Sequence, residues 1–109
     1  MRSDEKAVGG EDVADEIEGC YAAIGPGWRP LVMELVVQLR ALGWRGKPVQ
    51  IKEKFGTLRF YVDGPMTDEQ HKLVWEYEAK SYSICEDCGK LGKLADNHGW
   101  WRTTCGAHG

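Results

Sequence analysis

The chain has 109 residues, 42% hydrophobic and 28% charged, with four cysteines and five tryptophans; this is the balance of one small globular domain and excludes a disordered chain. No window approaches about 18 consecutive apolar residues, which excludes a membrane-spanning helix, and the charged start Met1-Arg2-Ser3-Asp4-Glu5-Lys6 lacks an apolar h-region, which predicts no secretory signal. The 14 basic and 17 acidic side chains leave a net charge of −3, too little for bulk attraction to nucleic acid and too mild for an acidic DNA mimic.

Residues 1–10 contain Gly9-Gly10 and little apolar material, and a flexible tail is expected there. Val13, Ile17, Cys20, Tyr21 and Ile24 then recur at helical spacing, and Gly25-Pro26-Gly27 ends this first helix. Pro30 suits the first turn of a second helix, where a missing N–H costs nothing. Leu31, Val32, Leu35, Val36, Leu39 and Leu42 form its apolar stripe and Gly43 its C-terminal stop, so it is the expected centre of the core.

From Val49 the period changes to two. Val49, Ile51 and Glu53 are expected on one strand face, with Gln50, Lys52 and Lys54 on the other. After a turn at Phe55-Gly56, Leu58, Phe60 and Val62 alternate with Thr57, Arg59 and Tyr61, which predicts an antiparallel hairpin with one buried and one polar face. Asp63-Gly64-Pro65 ends it. Thr67 and Gln70 form a capping-box pattern, and Leu73, Val74 and Tyr77 mark a third helix to about Ser81. The charge follows these elements unevenly. Residues 1–30 carry three basic against seven acidic side chains, a balance of −4, and residues 31–64 carry six against three, a balance of +3.

The strongest chemical signal is Cys85-Glu86-Asp87-Cys88-Gly89 followed by Cys105-Gly106-Ala107-His108. Two pairs with two-residue gaps supply the four soft or borderline ligands of a tetrahedral Zn²⁺ site. Gly89 follows the second cysteine, where such a knuckle often needs φ > 0. Four protein ligands leave no open position, so the expected zinc is structural. A disulfide is the competing reading, but three local cysteines cannot pair evenly and no export signal points to an oxidising compartment. His98 stands as an alternative fourth ligand, with His108 favoured by spacing. Between the pairs, Leu94, Asn97-His98-Gly99 and Trp100-Trp101-Arg102 read as a short hairpin, and residues 84–109 resemble a zinc ribbon or a treble clef without its closing helix. The expected class is therefore α+β: a core of two helices, a hairpin and a third helix over residues 11–84, with a zinc module at 85–109 packed on it as one domain.

A fuller resemblance spans residues 25–109. Gly27-Trp28, the run Gln50-Ile51-Lys52-Glu53-Lys54-Phe55-Gly56-Thr57-Leu58-Arg59-Phe60-Tyr61, then Ser81-Tyr82 and the cysteine pairs resemble a group of small proteins encoded by phages and prophages. The resemblance implies a phage accessory protein in the bacterial cytoplasm and brings no activity with it.

Gln50, Lys52, Lys54, Arg59 and Tyr61 share the expected polar hairpin face, which either meets phosphates or an acidic partner or is simply solvated. Most of the five tryptophans are expected in the core. Trp100 and Trp101 must point to opposite faces of a strand; one is expected to pack the zinc module on the helices and the other to be a contact anchor. No catalytic set is apparent. Asp96-Asn97-His98 lacks the second histidine and helix of a His-Asn-His nuclease, no deaminase signature precedes the cysteines, and Cys20 reads as a buried helix residue. The expectation is a non-enzymatic binding protein that docks on a host or phage protein, an inhibitor of host defence, replication or transcription, through Lys52, Lys54, Arg59, Tyr61, Trp100, Trp101 and Arg102. The alternative is a nucleic-acid-binding zinc ribbon that uses Lys52, Lys54, Arg59, Lys90, Lys93 and Arg102. A small nuclease comes third.

Overall fold

A computed structural model of the protein describes residues 24–97 and 99–108. The expected tail, most of the first helix with Cys20, and His98 lie outside the described residues. Within them, two helices and two small antiparallel hairpins make a mixed α+β architecture. No described helix is long and apolar enough to cross a membrane.

Pro26–Trp28 forms a 3₁₀ turn that runs directly into helix α1, Arg29–Ala41, with Pro30 in its first turn. Leu31, Val32, Leu35, Val36 and Leu39 are buried along one stripe of α1, as the spacing predicts. Leu42 is exposed instead, because the helix has ended at Ala41 and Leu42 has left that stripe. Arg40 is buried at the helix end, where its Nη1 donates to the carbonyls of Trp44 and Gly46, each at 2.9 Å. A charged side chain is tolerated there because its guanidinium is hydrogen-bonded to carbonyls of the loop that follows the helix.

Strand β1, Pro48–Lys54, pairs with β2, Thr57–Val62, in the expected hairpin. Phe55 and Gly56 both have positive φ, +54° and +80°, the requirement of a two-residue turn whose twist suits the strands. Two faces differ from expectation. A register shift between Pro48 and Gln50 turns Val49 outward, to 61% exposure, and Pro48 is buried in its place. Thr57 is buried on the nominally polar side, where its Oγ1 donates to the carbonyl of Lys54.

Helix α2, Asp68–Lys80, begins at the capping box: Gln70 N–H donates to Thr67 Oγ1 at 3.1 Å, and Thr67 N–H donates to Gln70 Oε1 at 3.0 Å. The buried Gln70 also donates from Nε2 to the carbonyl of Leu42, tying α2 to the end of α1. Val74 and Tyr77 of α2 join Trp28, the α1 stripe, Trp44, Ile51, Leu58 and Phe60 in one core. Trp44 and Phe60 meet edge to face, with centroids 6.4 Å apart. The outer edge of β2 is closed by side chains. Leu58 N–H donates to Ser81 Oγ and Phe60 N–H to Glu78 Oε2, each at 2.9 Å.

A second 3₁₀ turn, Ser81–Ser83, leads into the cysteine knuckle and the second hairpin, β3 (Lys93–Asn97) with β4 (Trp100–Thr104). The two hairpins touch: the buried Thr103 of β4 donates from Oγ1 to the carbonyl of Gly56, in the turn of the first hairpin, at 2.7 Å.

Candidate metal centre

The knuckle is seated by backbone. Gly89 N–H donates to the carbonyl of Cys85 at 2.9 Å, and Gly89 takes φ +83°, as its place after Cys88 predicts. Cys85 N–H donates to the carbonyl of Lys90 at 2.8 Å. Gly27 N–H donates to the carbonyl of Glu86 at 2.8 Å, an approach so close that a Cβ on Gly27 would sit 2.1 Å from the carbonyl oxygen of Cys85. The glycine that precedes the core helix is therefore also a wall of the knuckle.

After β4 the chain turns again, with His108 N–H donating to the carbonyl of Cys105 at 3.1 Å. This brings the second pair onto the first. The ligand atoms of Cys85, Cys88, Cys105 and His108 all lie within 4.8 Å of one another, close enough to hold one metal ion. His108 Nδ1 is 3.2 Å from Cys105 Sγ and 3.6 Å from Cys85 Sγ, and Cys88 Sγ is 3.6 Å from Cys105 Sγ. A tetrahedron with metal–sulfur bonds of about 2.3 Å has edges of about 3.8 Å, so these separations suit ligands around a common centre. They are far longer than a disulfide bond of about 2.05 Å. The three thiols are free. Cys85 is buried and Cys88 and His108 are exposed, so the centre caps the surface with one ligand rooted in the interior.

The surroundings favour thiolate at Cys85 and Cys105, while the Cys88 thiol is raised above its ordinary value. Burial works against ionisation of Cys85, but backbone N–H groups of Cys105, Cys88 and Asp87 and the thiol of Cys88 bring it down to about 6. The His108 imidazole lowers the Cys105 thiol, and that contact in turn raises His108. Behind the ligands, Glu86 is buried; burial raises its carboxyl above the usual range, while its Oε2 accepts the Thr103 N–H at 3.1 Å. Arg102 Nη2 donates to both carboxylate oxygens of Asp87, at 3.0 and 3.2 Å, and lies 3.6 Å from Glu86. The two residues between Cys85 and Cys88 thus anchor the knuckle to β4.

The expected partner residues fall in three places. Lys52, Arg59 and Tyr61 lie on the first hairpin, where Lys52 and Arg59 are direct cross-strand partners. Lys54 lies at its tip, with Nζ 5.7 Å from the centroid of the Phe55 ring. Trp100 and Trp101 lie on β4, beside that tip. Arg102 is half-buried in its carboxylate clasp. Lys90 and Lys93 are exposed on the metal module. Of the tryptophans, only Trp28 and Trp44 are in the core, while Trp75, Trp100 and Trp101 are 62%, 68% and 42% exposed. Neither Trp100 nor Trp101 packs the module on the helices. The contact with the start of the core helix is made by Trp28, whose Nε1 donates to the carbonyl of Ile84 at 2.8 Å, and the contact with the first hairpin by Thr103.

Trp28, Gly27 and Thr103 act across 47 residues of sequence or more, where periodicity carries no signal. Phe55 does carry one: a large apolar residue in the turn position that favours glycine or asparagine. It is 67% exposed and, with Glu53, Lys54, Gly99, Trp100 and Trp101, lines a groove of about 430 Å³ where the two hairpins meet. No protein-family model matches the chain, and neither a curated protein nor a solved structure matches it.

Proposed function

We propose that Cys85, Cys88, Cys105 and His108 hold one structural Zn²⁺ in a ribbon-like module, and that the protein is a zinc-stabilised docking module for another protein. Three sulfurs and an imidazole nitrogen are the donor set that zinc prefers over harder cations, and four protein ligands complete its tetrahedron. The metal then fixes structure. Its role is to hold β4, and so Trp100 and Trp101, against the Phe55 tip.

The observation that carries the docking role is the groove with Phe55, Trp100 and Trp101 around it. All three rings are exposed, Phe55 with a strained backbone. Exposed aromatic anchors beside one another are what a protein interface uses. The resemblance to phage and prophage proteins supports a partner from the phage or its bacterial host in the cytoplasm, with inhibition of a host defence, replication or transcription protein as the purpose.

The test is affinity capture from bacterial lysate, followed by reconstitution of the captured protein with the purified chain. Wild type is expected to hold one partner in fixed stoichiometry. The double variant Trp100→Ser and Trp101→Ser is expected to lose it while keeping its zinc. Capture unaffected by that variant would overturn the assignment of the groove.

A further inference from the structure

A second surface lies between β2 and α2, separate from the groove at the hairpin tips. Lys52 and Arg59 face each other directly across the β1–β2 ladder. Like charges in that relation destabilise a hairpin, and Arg59 Nε is buried without a hydrogen-bond partner. The one carboxylate that lines the adjoining groove, Glu78, has Oε2 engaged by the Phe60 N–H. Its attraction for Arg59 is therefore partial compensation.

Aromatic rings stand beside these cations. Lys52 Nζ lies 5.6 Å from the centroid of Tyr61, which is 42% exposed. Across a groove of about 330 Å³, His71 and Trp75 stack on the surface of α2, with centroids 6.0 Å apart and planes at 26°, and Trp75 is 62% exposed. An isolated surface lysine pair would be a solvated face. Here Arg59, with its orphaned N–H, Tyr61, His71 and Trp75 line one groove, and Lys52 stands beside it across the ladder from Arg59.

We infer that this groove binds single-stranded nucleic acid, with phosphates on Lys52 and Arg59 and bases on Tyr61 and the His71–Trp75 stack. Anion and flat aromatic face are recognised together, which is the chemistry of an unpaired nucleotide. An acidic peptide answers only the cations, and a duplex hides its base faces. The chain as a whole carries a net charge of −3, and the attraction rests on the few cations of this hairpin, so only the counterions of about two or three phosphates are released.

The experiment is fluorescence anisotropy of a labelled oligothymidylate of about twelve nucleotides with the full zinc-loaded chain. With two or three phosphates neutralised, affinity is expected to fall roughly sevenfold to twentyfold between about 50 and 200 mM salt. Trp75→Ala should weaken binding roughly tenfold, and Trp75→Phe, which keeps a ring, should stay within about threefold of wild type. Lys52→Glu should lose binding and raise the melting temperature, because it replaces the repelling pair with an attracting one. No anisotropy change at low salt would overturn the inference. So would a duplex binding equally well, or binding that ignores Trp75→Ala and is displaced equally by polyglutamate, the behaviour of a surface for an acidic protein. The Trp100/Trp101 double variant should bind the oligonucleotide normally, which separates this site from the protein-docking groove.

Discussion

The indole N–H of Trp28 donates to the carbonyl of Ile84 at 2.8 Å, joining the residue that opens the core helix to the residue that precedes the first metal ligand. Trp28 is fully buried, and its neighbour Gly27 donates to the carbonyl of Glu86 inside the knuckle. The helical core and the cysteine module therefore share one seam.

Trp28→Phe is expected to leave the Ile84 carbonyl unpaired and cost about 1–3 kcal/mol. Gly27→Ala is more severe, because its Cβ would meet the Cys85 carbonyl oxygen at 2.1 Å and Gly89 nitrogen at 2.6 Å, both backbone atoms that cannot turn aside. A loss above about 3 kcal/mol is expected, with weaker metal retention. Urea melts and zinc content check both.

Chelation of the metal should melt residues 84–108, since ligands that converge only in the folded chain couple metal binding to folding. Amide exchange should show protection lost first at β3 and β4. A chelated sample that keeps its full far-UV and tryptophan signals contradicts the structural role. Elemental analysis should find zinc lost in His108→Ala and Cys105→Ser and retained in His98→Ala; the reverse for the two histidines would move the fourth ligand.

Phe55 takes φ +54° with a side chain that is 67% exposed, so it gains little from burial while bearing left-handed strain. Phe55→Asn suits that turn and should stabilise the protein by about 1 kcal/mol, seen as a higher melting temperature. The same change should weaken capture of the protein partner. Stability gained at the cost of binding would identify Phe55 as a contact residue.

Burial raises the Glu78 carboxyl above its usual range, against the opposing pull of the Phe60 N–H and Arg59. The folded chain then holds that proton more tightly than the unfolded chain. Its contribution is full below the unfolded pKa and is lost as pH rises through the folded value. Relative to Glu78→Gln, which keeps an acceptor for the Phe60 N–H, wild type should gain stability as pH falls from about 7 to about 5. Paired denaturant melts at the two pH values measure this; equal slopes for both proteins would contradict it.

Much of the local structure was legible because its causes are local. Thr67 and Gln70 are a turn apart, Leu31 to Leu39 repeat on one helical stripe, and Cys85 with Cys88 and Cys105 with His108 are spaced to converge. The β1–β2 alternation was legible only where the ladder is regular. A shift at Pro48/Gln50 moved Val49 out, an event that polarity alone does not announce. The exposure of Trp75, Trp100 and Trp101 has a related cause. Hydrophobicity favours burial on average, but in a small core only Trp28 and Trp44 find room among the α1 and hairpin side chains.

Length and composition by themselves describe a small chain with mild negative charge, and spacing adds the four candidate metal ligands, the two hairpins and the basic middle third. Those features follow from covalent distance and backbone period. The tertiary structure alone decided that Gly27 and Trp28 seat the knuckle, that Arg102 is clasped by Asp87, and that Phe55, Trp75, Trp100 and Trp101 remain in solvent. These outcomes depend on contacts between residues far apart in sequence, where packing volume and hydrogen-bond satisfaction select among faces that the local pattern leaves equivalent.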